Sequence, residues 1–77
     1  MKQYCVEYES DKRNPFSNHG EFNHTYGFAS SIKTAKQYIS KCREKESRYN
    51  PRNFRIYDTY ADVDSDTDYV PCVYREA

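Results

Sequence analysis

Four aspartates at alternate positions, Asp62, Asp64, Asp66 and Asp68, form the densest cluster of carboxylates in the chain. Such a group could hold a hard cation, meet a basic partner or close a hairpin. A calcium loop of the EF-hand type needs oxygen ligands at positions 1, 3 and 5, glycine at 6 and a bidentate glutamate at 12. Counted from Asp62, position 6 is Thr67 and position 12 is Val73; counted from Asp64, they are Tyr69 and Arg75. Neither register fits, and strands rather than helices are expected on either side. The stretch therefore reads first as a polar hairpin connection, because aspartate and serine bond their own backbone in turns. Its second reading is a contact surface, with Tyr60 and Tyr69 at the two ends. Clustered carboxylates complement a basic partner and speed association with it.

Other groups with chemical potential are less organised. His19 and His24 flank Glu21, but no third ligand has a spacing that completes a metal site. Cys5, Cys42 and Cys72 are too far apart for a CxxC motif or a zinc site and read as reduced thiols. Serine, cysteine and histidine are all present, yet nothing marks a strained nucleophile elbow or an oxyanion hole. With Gly20 and Gly27 as the only glycines, a phosphate-cradling loop is excluded. No cofactor, metal or enzymatic activity is expected.

A second candidate surface is basic. Lys33, Lys36, Lys41, Arg43, Arg48, Arg52 and Arg55 fall in one stretch, with Tyr49 and Phe54 interleaved. Basic stripes with stacking aromatics bind nucleic acid. Against this stand Glu44 and Glu46 within the stretch and a formal net charge of zero. The neutrality conceals a division: residues 33–55 are strongly basic and residues 56–77 strongly acidic. Such a chain either pairs its own halves or offers two faces to two kinds of partner.

These groups must be positioned by a small domain. The chain has 77 residues, no leucine and no tryptophan, but nine tyrosines and four phenylalanines. A core of this size is marginal, and here it must be largely aromatic. No apolar run has the length of a membrane span, and the first residues show no signal-peptide core, which predicts a soluble cytoplasmic protein.

Alternation over residues 2–9 predicts a strand with Tyr4, Val6 and Tyr8 on one face and Cys5, Glu7 and Glu9 on the other. Residues 10–29 hold turn chemistry and three phenylalanines, Phe16, Phe22 and Phe28. Either this segment folds back as an extra hairpin, with residues 22–28 beside the first strand, or it is a functional loop; some of its phenylalanines are expected inside. Ser31 is a helix N-cap, and Ile32, Ala35, Ile39 and Cys42 make an apolar stripe, widened by Tyr38, over residues 31–46. Asn50-Pro51 ends it. Phe54 and Ile56 share a face of the next strand, and Val70, Cys72 and Tyr74 share a face of the last, over residues 69–75. The expected fold is α+β, a single domain over residues 1–77 with a three-stranded sheet and one helix on one face, in the order β-α-β-β. A right-handed crossover would set the first two strands parallel. The other sheet face stays open, and Tyr57, Tyr69 and Tyr60 are its expected aromatics. Such a face suits a partner or a homodimer contact.

In length, element order and a composition rich in lysine, asparagine, tyrosine and aspartate, the chain resembles short β-α-β-β proteins of phages and mobile elements of low-GC bacteria. These include small inhibitors of host defence such as anti-CRISPR proteins. The resemblance spans the whole chain, has no diagnostic residues, and so transfers no functional residue. It implies a stoichiometric binder that blocks a host enzyme. The leading expectation is thus a non-enzymatic protein-binding module acting through Asp62, Asp64, Asp66, Asp68, Tyr60 and Tyr69 on a protein with a basic surface. The competing one is a small nucleic-acid binder using the basic stretch.

Overall fold

The structure, a computed structural model, describes residues 3–17, 20–59 and 72–77. Strand β1 (Tyr4–Glu9) carries the alternation seen in the sequence: Tyr4, Val6 and Tyr8 turn into the core. The chain then folds back as strand β2 (Asn23–Ala29), antiparallel to β1. Helix α1 (Ile32–Lys45) follows at once. Its N-cap is Ser31, whose hydroxyl accepts the Thr34 N–H at 3.1 Å, satisfying a donor that the first helical turn leaves unpaired. Arg43 and Lys45 sit in the last turn, where the helix dipole favours cations. A short 3-10 turn, Ser47–Tyr49, leads to Asn50, which adopts the left-handed conformation at φ 53° and reverses the chain ahead of Pro51. Strands β3 (Arg52–Asp58) and β4 (Cys72–Glu76) are the last two elements among the described residues.

The sheet has four antiparallel strands in the order β2-β1-β3-β4, with the helix packed across β2, β1 and β3. Two expectations change. The sheet gains a strand, because residues 23–29 pair fully with β1 rather than lying loosely beside it. The two central strands also run differently: β1 and β3 are antiparallel, not parallel. The cause is the extra hairpin. It returns the chain to the opposite end of β1 before the helix begins, so the helical crossover joins β2 to β3 and passes over β1. These two strands are the parallel pair, with β1 between them.

The core is small and aromatic. Phe54, Ile56, Val6, Ala35, Ile39 and Cys42 are fully buried, with Tyr4, Tyr8 and Ala29 around them. Tyr8 stacks between two rings, His24 at 5.2 Å and Phe54 at 5.7 Å between centroids. The Arg43 guanidinium lies over the Phe54 ring at 4.6 Å. None of the three loop phenylalanines enters this core: Phe16 is 91% exposed, Phe28 56% and Phe22 42%. Ile32 also stays partly exposed, so the buried helix stripe is Ala35, Ile39 and Cys42. In β4, a bulge sets Cys72 opposite Tyr57 and Tyr74 opposite Ile56, so Cys72 and Tyr74 do not share a face by simple alternation.

Candidate functional site

Asp62, Asp64, Asp66, Asp68, Tyr60 and Tyr69 lie outside the described residues. The basic set can be followed. Lys33, Lys36, Lys41 and Arg43 stand on α1, Arg48 in the 3-10 turn, and Arg52 and Arg55 on β3. They do not converge. Arg43 donates to Glu76 at 3.0 Å and lies against Phe54. Arg52 donates to Asp11 at 2.9 Å. Lys36 leans over the Tyr74 ring at 4.5 Å, and Lys41 over Tyr38 at 6.0 Å on the other flank of the helix. Arg55 points to the sheet face that the helix does not cover. The local grouping that remains is Tyr49 with Lys12 at 5.5 Å and Arg48 at 5.0 Å from its ring.

Catalytic groupings fare no better. Ser10 Oγ lies 3.0 Å from His24 Nε2, a pairing that resembles a nucleophile and its base. The same Nε2 lies 2.8 Å from the Lys12 carbonyl oxygen. A carbonyl only accepts, so Nε2 carries the proton and donates it. It therefore cannot take a proton from Ser10, and the pair ties the β1–β2 connection to the core instead. Among the described residues, no group of three or more His, Cys, Asp or Glu side chains could hold a metal. An open depression of about 400 Å³ lined by Tyr26, Lys41, Glu44 and Lys45 brings no converging polar groups together.

The uncovered sheet face is more ordered. Directly paired residues share a face, so the register places Phe28, Cys5 and Tyr57 in one row across β2, β1 and β3, continued by the bulge at Cys72 and Val73 on β4. Phe28 is more than half exposed, Val73 is 42% exposed, and Cys5 beneath its neighbours is only 8% exposed. The next row is polar: Thr25, Glu7, Arg55 and Arg75. Asn23 bridges its centre, donating to Glu7 Oε1 at 3.0 Å and accepting from Arg55. Beyond it Asn53, at φ 54°, donates to Glu9 Oε2 at 2.6 Å. Burial, reinforced by the Glu7 carboxylate, pushes the Cys5 thiol up to about 11, so it is neutral at physiological pH.

Tyr57 was legible as an open-face aromatic by strand parity. Phe28 and Cys5 were not assigned to this row, because the pairing that aligns them depends on a β2 register that residues 10–29 do not spell out. Comparison with protein-family models, curated proteins and solved structures gives no match.

Proposed function

We propose that this chain is a non-enzymatic protein-binding module whose open sheet face is buried against a protein. One observation carries the reading: a row of Phe28, Cys5 and Tyr57 crosses the uncovered face, with Phe28 more than half exposed. Aromatic side chains in the middle of a patch, rimmed by charged and polar ones, are the composition of a protein contact. Glu7 and Glu9 in the central strand oppose a polyanion there. The acidic stretch with Tyr60 and Tyr69 adds a second contact, suited to a basic surface such as that of a nucleic-acid-binding protein. A small inhibitor of the phage type, acting by stoichiometric binding in a reducing cytoplasm where three free thiols persist, fits both features.

The test compares what wild-type, Phe28→Asp and the Asp62, Asp64, Asp66 and Asp68 to Asn variant retain from the native cell. Loss of a retained protein with Phe28→Asp supports the contact face. Identical retention by wild type and Phe28→Asp contradicts it.

A second reading, nucleic-acid binding, is favoured by Tyr49 with Lys12 and Arg48 near its ring, an aromatic side chain accompanied by two cations. It predicts binding to single strands that weakens steeply with salt. A gel-shift titration at low and high salt decides it.

A further inference from the structure

We propose that the occupant of the open face is a second copy of this chain, related by a two-fold axis that runs along the strands midway between β1 and β3. The inference rests on the reading of that face as a protein contact and names the partner.

The register supplies the argument. A two-fold axis along the strands keeps each residue at its height and exchanges β1 with β3 and β2 with β4. Glu7 then falls opposite the partner's Arg55, and Arg55 opposite the partner's Glu7. Cys5 meets the partner's Tyr57, and Phe28 meets the partner's bulge at Cys72 and Val73. Thr25 meets the partner's Arg75. Apolar row lies on apolar row, and every charge in the polar row meets an opposite charge or a hydroxyl. An axis across the strands instead lays β1 on β1 and β3 on β3; at the height of the polar row it sets Glu7 on Glu7 and Arg55 on Arg55, and at any other height it moves that row off its counterpart. The charge pattern therefore selects one orientation.

Among the described residues Glu7 and Arg55 are hydrogen-bonded but not ion-paired. Glu7 accepts from the Asn23 amide, and Arg55 donates to the same amide and to the Asn53 carbonyl. A formal net charge of zero means that no overall repulsion opposes two copies. The size of the face sets the strength. Four strands about 4.8 Å apart and five to seven residues long present roughly 350 Å² in plan, below the ~800 Å² per partner of a standard stable interface. The dimer is consequently weak and forms with rising concentration.

Sedimentation across two decades of protein concentration tests this on wild type, Phe28→Asp, Glu7→Arg, Arg55→Glu and the double exchange of Glu7 and Arg55. Circular dichroism checks that each is folded. Wild type is expected to shift from monomer to dimer, Phe28→Asp and the single exchanges to stay monomeric, and the double exchange to recover the dimer. If the charge variants do not fold, Phe28→Asp and Val73→Asp carry the test, and both should weaken the dimer. A wild type that is monomeric throughout, or a folded double exchange that does not recover, overturns the inference. If a monomeric wild type still retains another protein through Phe28, only the second copy is overturned. If Phe28→Asp loses nothing in either assay, the contact face falls as well.

Discussion

Cys5 and Tyr57 stand opposite each other across β1 and β3 on the side of the sheet away from the helix, and Phe28 completes the row from β2. This places a buried thiol under an exposed aromatic, which gives a chemical reporter for the face. The thiolate is the nucleophile, and at pH 7 a thiol pushed up to about 11 supplies little of it. Alkylation of Cys5 in the native protein should be slow, should follow that of half-exposed Cys72, and should accelerate towards pH 11. Phe28→Ala should raise the Cys5 rate several-fold by uncovering it. The same shift sets a stability trend. Below its ordinary value of 9.0 the thiol is neutral folded or unfolded, and stability is then lost as pH rises from there towards 11, where only the unfolded thiol ionises. Mass-spectrometric rates for the three cysteines check the first point, and Cys5→Ser should flatten the alkaline limb of the second.

The Tyr8–Phe54 stack is the centre of the core. Phe54→Ala removes a fully buried ring and should cost about 3–5 kcal/mol. Total stability for a domain of this size is roughly 4–12 kcal/mol, so this variant approaches unfolding. Tyr8→Phe keeps the stack and removes only the phenol hydroxyl, a smaller loss of about 1 kcal/mol. Burial raises the Tyr8 phenol, so that proton stays on throughout the folding range. Urea titration of both variants should show this order.

Asp11 ties the β1–β2 connection to the corner before β3. Its carboxylate accepts from Asn50 at 3.0 Å and Arg52 at 2.9 Å, and its N–H donates to the Tyr49 carbonyl at 2.7 Å. The Asn50 amide first, then Arg52, holds the carboxyl below its ordinary 3.8. A depressed acid stabilises above its unfolded value and loses that contribution as pH falls through the folded one. Wild type should therefore lose stability below about pH 4 more steeply than Asp11→Asn, and urea midpoints from pH 7 to pH 2 would measure it.

Asn50 turns the chain at φ 53°, a conformation that costs most residues about 1 kcal/mol but glycine nothing. Asn50→Ala and Asn50→Gly both lose the bond to Asp11. Their difference isolates the backbone: the alanine variant should be less stable by about 1 kcal/mol. Equal midpoints would show that the turn relaxes.

Much of this fold was legible locally. Alternation found Tyr4, Val6 and Tyr8, helical spacing found Ala35, Ile39 and Cys42, and Ser31 was readable as a cap because its role is short-range. The direction of β1 against β3 was not, since it depends on a hairpin whose turn chemistry in residues 10–22 matches no single turn type. Phe16, Phe22 and Phe28 were expected partly inside on hydrophobicity alone. The core is already filled by tyrosine rings and Phe54, which leaves them outside. The basic residues formed one group in sequence and several in space, because Arg55, between core-facing Phe54 and Ile56, lies on the face opposite the helix. Bulges in β2 and β4 displace register by a residue, and alternation cannot show them.

The contact face is tested most directly by hydroxyl-radical footprinting of the free and bound protein, whether the bound state is a dimer or a complex. Phe28 and Tyr57 should become protected together, while Phe16, 91% exposed on the far connection, stays as reactive as before and serves as the internal standard. Protection at Phe16 or Tyr49 with Phe28 and Tyr57 unchanged would contradict the assignment of the open sheet face as the binding surface.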